Sequence, residues 1–182
     1  MKHHNTGFTI VELLIVIVVI GILAAITIVA FNGIQQRAEN NKTVSAVGQY
    51  AKAIKIYATN DAGGLFPVAG YPCLGPHATP ANRCANVIDS TNVCNGAGGA
   101  TTNASFDAAM RTVISSIPSP SSQSMNCNGR MYGGAWYNSS DGSTASITYY
   151  LKGNVACPDI GGLRQISRFQ SDDTTACSTS IP

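Results

Sequence analysis

Histidines are the side chains in this sequence best suited to acid–base catalysis. They stand at His3, His4 and His77. The first two fall in the short polar stretch before a long apolar segment, and His77 follows Gly75-Pro76 with no recognisable partner motif. A catalytic site usually combines a nucleophile, a base and a stabilising group. We therefore predict that the protein is not an enzyme and uses no cofactor.

Two adjacent carboxylates, Asp172 and Asp173, could contribute oxygen ligands to Ca²⁺. Calcium takes roughly six to eight oxygen ligands, so two carboxylates fall far short of a coordination shell. The interpretation we adopt is a solvated turn, and we predict no metal site.

Basic residues could form a small patch for DNA or an anionic surface at Lys152, Arg164 and Arg168. The chain has 11 basic and 9 acidic residues and a formal net charge of +2. This is far from the basic excess of a protein that coats nucleic acid. A scattered set of surface charges is the simpler interpretation, so binding to DNA or a host surface is left without support.

Six cysteines lie downstream of the apolar segment, at Cys73, Cys84, Cys94, Cys127, Cys157 and Cys177. None forms a C-x-x-C pair, and an even number beyond a membrane span favours disulfides over a metal site. We predict three bonds. Cys73–Cys84 and Cys157–Cys177 are the preferred pairs because each closes a short loop, although six cysteines allow about fifteen connectivities.

A carboxylate, Glu12, stands at the start of the long apolar segment. Residues 13–31 carry no charge, and these roughly nineteen residues are about as many as a bilayer-spanning helix needs. An ordinary secretory signal has a shorter apolar stretch and gains nothing from a charge within it. On these residues alone, Glu12 is either solvated at the headgroup level or has a specific role.

The residues around Glu12 read Gly7-Phe8-Thr9-Ile10-Val11-Glu12-Leu13-Leu14, followed by an apolar run that contains Gly21. This segment closely resembles the N-terminus of type IV pilins and pseudopilins. In that family a membrane peptidase cuts after the glycine and methylates the new N-terminal phenylalanine. The resemblance therefore implies cleavage between Gly7 and Phe8, N-methylation of Phe8, and a role for Glu12 with Phe8 in assembly.

The resemblance also implies where each part of the chain is found. Residues 1–7 would be a leader, with Lys2 as its one fixed charge on the cytoplasmic side. Residues 8–31 would span the cytoplasmic membrane in a single pass and later mediate polymerisation. The rest would face outward and become part of an extracellular filament.

The apolar segment departs from many family members in lacking a proline. This chain has Ile28-Val29-Ala30 where they carry one. Without proline, no backbone donor is removed. Helix flexibility would then depend on Gly21 and Gly33, each less favourable in a helix by about 1 kcal/mol.

The helix is expected to continue as an amphipathic half over residues 32–60. Apolar residues recur there at helical spacing, at Val44, Val47, Ala51, Ile54 and Ala58. A helix over residues 8–60 would be about 80 Å long. Its apolar stripe is best buried against a globular, disulfide-containing domain at residues 61–182, whereas its first half needs lipid or other copies of itself.

Several elements of that domain can be predicted. The glycines and proline of residues 61–67 end the long helix, and residues 71–99 form a disulfide-stapled loop. A short helix begins at a cap, Ser105 or Asn103, and extends through Ile117 to Pro118. Strands are expected at residues 131–137, 145–151 and 163–169, with residues 138–142 joining the first two.

The fold class is therefore α+β. A long N-terminal helix has a protruding apolar half and an amphipathic half packed on a small antiparallel sheet, as in pilins. The resemblance implies a structural subunit of a type IV pilus, in particular a major pilin, for adhesion or twitching motility. Its partners would be further copies of itself, the prepilin peptidase, the assembly platform, minor pilins and the lipid bilayer.

Two alternatives stay open. A minor pilin or a pseudopilin of a type II secretion or DNA-uptake system would have the same Gly7, Phe8 and Glu12. A signal-anchored extracellular binding protein would instead keep residues 1–7 and would never polymerise.

Overall fold

The computed structural model describes residues 9–60, 62–75, 84, 102–121, 123, 125–127 and 130–182. The protein divides into two compact units, one ending at Ala38 and the other comprising Glu39–Pro182. Helix α1, Ile10–Asn60, contributes to both units, and helix α2, Ala104–Arg111, belongs to the second. The predicted end of the long helix, at residue 60, is confirmed.

A four-stranded antiparallel sheet forms the body of the second unit, in the order β3-β4-β6-β5. Its strands are β3 (Ala135–Asn138), β4 (Ala145–Lys152), β5 (Arg164–Ser171) and β6 (Thr174–Ile181). A separate two-stranded sheet pairs β1 (Met125–Cys127) with β2 (Arg130–Tyr132). The α+β class and the small antiparallel sheet are confirmed.

The core of the second unit lies between the later part of α1 and one face of the sheet. From α1 it receives Val47, Tyr50 and Ile54, and these belong to the same buried cluster as Ile147 and Leu151. Full burial of an aliphatic or aromatic side chain contributes roughly 1.5–3 kcal/mol, so this stripe is a major source of stability. The predicted amphipathic half of the helix is confirmed.

Helix α2 is shorter than expected. Asn103, one of the two proposed caps, accepts a hydrogen bond from the Phe106 nitrogen at 3.0 Å. The helix stops at Arg111 rather than continuing to Ile117. At Thr112 the backbone N–H turns to the Ala109 and Met110 carbonyls, and the β-branched and serine residues that follow are poor helix formers.

The strand predicted over residues 131–137 is wrong as a single element. Its residues are divided between β2 and β3, which belong to different sheets. The break falls at Gly133 and Gly134, and Gly134 has a φ of 70°, outside the strand region. The strands expected at residues 145–151 and 163–169 are present as β4 and β5.

Strand β6 was not predicted, yet it lies between β4 and β5 in the sheet. Its sequence, TTACSTSI, has few of the large apolar residues that mark a strand. Every second residue of β6 nevertheless pairs with a buried residue of β4. The pairs are Thr175 with Leu151, Cys177 with Tyr149, Thr179 with Ile147, and Ile181 with Ala145.

Two disulfides join described residues. Cys73–Cys84 and Cys157–Cys177 have Cα atoms 5.6 and 5.8 Å apart, respectively. They are the two pairs preferred from loop length. Cys94 lies outside the described residues, as does most of the predicted loop at residues 71–99, so the third bond stays a prediction.

Candidate functional site

The first half of α1 presents apolar side chains on every side. Of its described large apolar side chains from Ile10 to Phe31, the least exposed is Val19 at 48% and the most exposed is Ile10 at 85%. Among the described residues, α1 is the one helix long and apolar enough to cross a membrane. An all-round apolar helix needs an apolar environment, which either lipid or other helices can supply.

Glu12 closes a reciprocal cap at the start of this helix. Its Oε2 accepts hydrogen bonds from the Thr9 backbone nitrogen at 2.8 Å and from the Thr9 hydroxyl at 2.7 Å. In return the Glu12 nitrogen donates to the Thr9 hydroxyl oxygen at 3.2 Å. This is a capping box, in which a threonine at the N-cap and a glutamate three residues later satisfy each other's backbone groups.

The capping box gives Glu12 a defined position within its own chain. Helix starts leave backbone N–H groups unpaired, and a carboxylate there is also favoured by the helix dipole. Thr9 was not singled out from the sequence, although the Thr-x-x-Glu spacing that predicts such a cap is visible in it. Glu12 is thus hydrogen-bonded within its own chain and is also exposed in this structure, and its role in assembly stays a prediction.

Gly21 and Gly33 both lie inside the continuous helix. A Cβ atom added at either glycine would meet nothing within 4 Å. Neither glycine is therefore required by a close contact among the described residues, and their contribution to helix flexibility stays a prediction. The polar Thr27 hydroxyl is satisfied within the helix, because it donates to the Ala24 carbonyl at 2.9 Å.

Gly7 and Phe8 lie outside the described residues. Cleavage between them and methylation of Phe8 accordingly stay predictions, and so does their arrangement relative to Glu12. The histidines His3, His4 and His77 also fall outside the described part of the chain.

The amphipathic half of α1 is attached to the sheet by polar contacts as well as by its apolar stripe. Asn40 and the backbone of Lys152 exchange two hydrogen bonds, at 3.0 and 2.9 Å. Ser121 binds the same helix twice: its hydroxyl donates to Glu39 Oε2 at 2.6 Å and its backbone nitrogen donates to the Thr43 hydroxyl at 3.1 Å. These contacts fix the helix on the domain that carries it.

Two of the three basic residues proposed as a patch, Lys152 and Arg168, have partners for their side chains, whereas the described contact of Arg164 involves only its backbone. Arg168 donates to the Val155 carbonyl at 3.0 Å and to Asn154 Oδ1 at 2.5 Å. Lys152 lies 3.9 Å from Asp173, and the carbonyl of Arg164 accepts a long hydrogen bond, 3.5 Å, from the Ser180 hydroxyl. These contacts favour local structural roles over a shared basic surface.

Asp172 and Asp173 form the two-residue connection between β5 and β6, across the pair Ser171 and Thr174. Asp172 has a φ of 49°, as hairpin turns of this length require. Within the described residues no group of three or more histidine, cysteine, aspartate or glutamate side chains could hold a metal ion. The two carboxylates are therefore best interpreted as turn residues.

Comparison with known proteins bears on the same N-terminal segment. Residues 2–28 match the family model described as the prokaryotic N-terminal methylation motif. The type IV major fimbrial protein FimA of Dichelobacter nodosus is 42% identical over 55 residues, which cover 30% of this chain and 35% of that protein. The type II secretion system core protein G of Aeromonas hydrophila is 34% identical over 56 residues, covering 31% of this chain and 39% of that protein.

The chain thus spans little more than a third of the length of the curated relatives it matches. No solved structure matches it significantly. The matched segment contains Gly7, Phe8 and Glu12, and the architecture that follows it is a long helix with a small antiparallel sheet. The protein is type IV pilin-like, and similarity to both a fimbrial protein and a secretion-system protein leaves its subtype open.

Proposed function

We propose that this protein is a structural subunit of an extracellular type IV pilus, in particular a major pilin, rather than an enzyme. In this proposal residues 1–7 are a leader, residues 8–31 span the membrane and later polymerise, residues 32–60 attach the helix to its domain, and residues 61–182 form the surface of the filament. A peptidase cuts between Gly7 and Phe8, and Phe8 is N-methylated.

The observation that carries the proposal is the all-round exposure of the apolar half of α1. Exposing this segment of roughly nineteen mostly apolar residues to water would be strongly unfavourable, because each Å² of exposed apolar surface costs roughly 25 cal/mol. A lipid bilayer covers such a segment before assembly, and the same segment of neighbouring copies covers it afterwards. A single-pass precursor in the cytoplasmic membrane that moves into a filament uses both environments in turn.

Glu12 supports polymerisation rather than simple anchoring. The hydrogen bonds from Thr9 come from neutral groups and do not compensate the charge of Glu12. Inside a bundle of apolar helices a carboxylate without a cation would cost several kcal/mol, so Glu12 needs a cation there. Cleavage would supply one, because a monomethylated amine at Phe8 stays positively charged. Pairing between Glu12 of an incoming subunit and Phe8 of a subunit already in the filament would then favour insertion in register.

A pseudopilin of a type II secretion system, or a minor pilin, is the second candidate. The 34% identity to a secretion system core protein favours it, and the same N-terminal segment carries that similarity. The two candidates differ in abundance. A major pilin should be the dominant protein of filaments sheared from the cell surface. Its partners in this proposal are the prepilin peptidase, the assembly platform and minor pilins of the cell envelope.

The proposal is tested by shearing surface filaments from the native cells and measuring the intact mass of the principal protein. We expect a chain that begins at methylated Phe8 and lacks residues 1–7. Recovery of a surface protein that begins at Met1 would contradict the proposal and favour a signal-anchored binding protein. A processed chain found in the membrane and absent from sheared filaments would favour the pseudopilin.

A further inference from the structure

A cavity of about 520 Å³ lies beside α2 in the second unit, and its polar lining groups have no hydrogen-bond partner among the described residues. The polar side chains that line it are Thr102, Asp107, Arg111, Ser115 and Ser116. None of these side chains makes a hydrogen bond or an ion pair with the described residues. The volume falls within the range of roughly 300–1,000 Å³ that small-molecule sites occupy.

Asp107 supplies a hydrogen-bond acceptor to the lining of this cavity. Its Oδ1 atom is shielded from solvent and has no hydrogen-bond partner in the described structure. Burial raises the pKa of Asp107, while the charge of Arg111 lowers it. A shielded oxygen without a partner is unfavourable, so a ligand that donates hydrogen bonds to it would be stabilised.

Arg111 supplies the complementary donors. It follows Asp107 by four residues on α2, so both side chains project from the same face of the helix. The Arg111 side chain is exposed, and the described structure shows no ion pair between it and Asp107. A guanidinium offers five N–H groups in a planar fork and accepts no hydrogen bond. The cavity therefore presents donors and acceptors side by side.

Gly75 contributes a part of the cavity lining that carries no side chain. Gly75 lines the cavity with a φ of 78°, and a Cβ atom there would lie only 2.6 Å from the Pro118 carbonyl oxygen. Burial raises the pKa of Tyr50, and the charge of Asp107 raises it further, while the Gly75 backbone and the charge of Arg111 lower it. Only glycine fits at this position of the lining.

The lining excludes two classes of ligand. An apolar molecule would bury the unpaired groups of Asp107 and Arg111 without satisfying them. A ligand with one charge would face both a carboxylate and a guanidinium, whose formal charges cancel. A neutral polyol avoids both penalties, because each hydroxyl both donates and accepts a hydrogen bond.

We propose that this cavity binds a neutral saccharide residue, with Asp107 accepting hydrogen bonds from its hydroxyls and Arg111 donating to its oxygens. The hydroxyls of Thr102, Ser115 and Ser116 complete the rim, and Ile117 provides the apolar contact for the ring. This site is independent of polymerisation, so it does not rest on the function proposed above.

The test uses the full chain solubilised in a detergent without a sugar headgroup. Saturation-transfer NMR titrations employ methyl β-galactoside and N-acetylglucosamine as neutral probes and glucuronate as a charged one. We expect saturable binding of at least one neutral probe with a Kd on the order of 1 mM. Asp107→Asn should weaken that binding about tenfold, because it replaces the charged acceptor with a weaker one while preserving its shape.

Asp159→Asn is the matched control, since Asp159 is exposed and does not line the cavity. Its binding should equal that of the unsubstituted protein. The proposal is overturned if no neutral probe shows saturable binding, if glucuronate alone binds, or if Asp107→Asn binds the neutral probe as well as the control does. Thermal unfolding of each variant confirms that the protein is folded during the titration.

Discussion

The side-chain amide of Asn40 takes the place of a strand beside Lys152. Its Nδ2 donates to the Lys152 carbonyl at 3.0 Å and its Oδ1 accepts from the Lys152 nitrogen at 2.9 Å. Lys152 is the last residue of β4, beyond the point where β3 pairs with that strand. One helix side chain thus completes the hydrogen bonding at the uncovered end of β4.

Replacing Asn40 with alanine should therefore destabilise the second unit. Two partly buried backbone groups lose their partners, at a cost of roughly 1–3 kcal/mol. Urea unfolding of the detergent-solubilised chain, followed by the fluorescence of the buried Trp136, measures this change. Asn41→Ala is the control, because Asn41 is the exposed neighbour on the same helix. Equal stability of the two variants would show that the Asn40 contact contributes nothing.

Two buried tyrosines should respond differently to the loss of their hydroxyls. The Tyr137 hydroxyl donates to the Pro67 carbonyl at 2.8 Å. The Tyr149 hydroxyl is buried without a partner in the described structure. Tyr137→Phe should cost about 1 kcal/mol, whereas Tyr149→Phe should be neutral or stabilising because it removes an unsatisfied group. The same urea titration compares them, and the reverse order would contradict this hydrogen-bond assignment.

The same tyrosines predict a loss of stability at alkaline pH. Burial raises the pKa of Tyr137 and of Tyr149 to about 12. In the unfolded chain the pKa of a tyrosine is about 10, which is lower than in the folded state. Each of these tyrosines therefore contributes fully to the free energy of unfolding below about pH 10, and the contribution is lost as the pH rises toward about 12. The free energy of unfolding should fall by about 1.4 kcal/mol per pH unit for each tyrosine in that window. Tyr149→Phe should make the free energy of unfolding fall less steeply with pH, by the amount expected for one tyrosine. An unchanged slope would show that Tyr149 does not contribute to this loss of stability.

Two substitutions at Glu12 separate its cap from its charge. Glutamine at this position can still form the capping box with Thr9, but it carries no charge to pair with a terminal amine. Glu12→Ala removes both, and in a filament it would leave a buried amine unpaired at a cost on the order of 3–5 kcal/mol per subunit. We expect both variants to be inserted and cleaved, and neither to assemble when it is the sole subunit.

Immunoblots of whole-cell and sheared fractions measure that outcome. Normal filaments from Glu12→Gln together with failure of Glu12→Ala would assign the role of Glu12 to the cap. Abundant filaments from Glu12→Ala would show that neither the cap nor the charge is needed for assembly.

All six cysteines should be oxidised in the folded protein isolated from native cells. With Cys73–Cys84 and Cys157–Cys177 formed, Cys94 and Cys127 can pair only with each other. Non-reducing peptide mapping should find these three bonds. Closing a loop of such lengths stabilises a domain by roughly 2–4 kcal/mol, so reduction should lower the unfolding temperature. Detection of free thiols in the folded protein would contradict the prediction.

The long helix could be predicted from sequence because its signal is long and periodic. Its second half repeats apolar residues at helical spacing, and Val47 and Ile54 are fully buried as that pattern requires. Short-range chemistry was also visible, in the Asn103 cap and in the loop lengths of two disulfides. Each of these features depends on neighbouring residues alone.

What could not be predicted depends on distant partners. Strand β6 is rich in threonine and serine, and its inward positions are defined only by the neighbours on either side of it. The contact from Asn40 to Lys152 joins residues separated by 112 positions, and no local pattern indicates it. The Asp107 cavity likewise brings together α2, the turn at Gly75 and the segment that follows α2.

The central position of β6 also determines when the sheet can form. Ribosomes deliver β4 and β5 before β6, and β4 and β5 are joined in the sheet only through β6. At roughly 5–20 residues per second, the ribosome needs about 0.5–2 seconds to extend the chain from Ser171, the end of β5, to Ile181, the end of β6. During that time the chain lacks the pairing that would lock the sheet. The order of strands therefore delays formation of the complete four-stranded sheet until β6 has been synthesised.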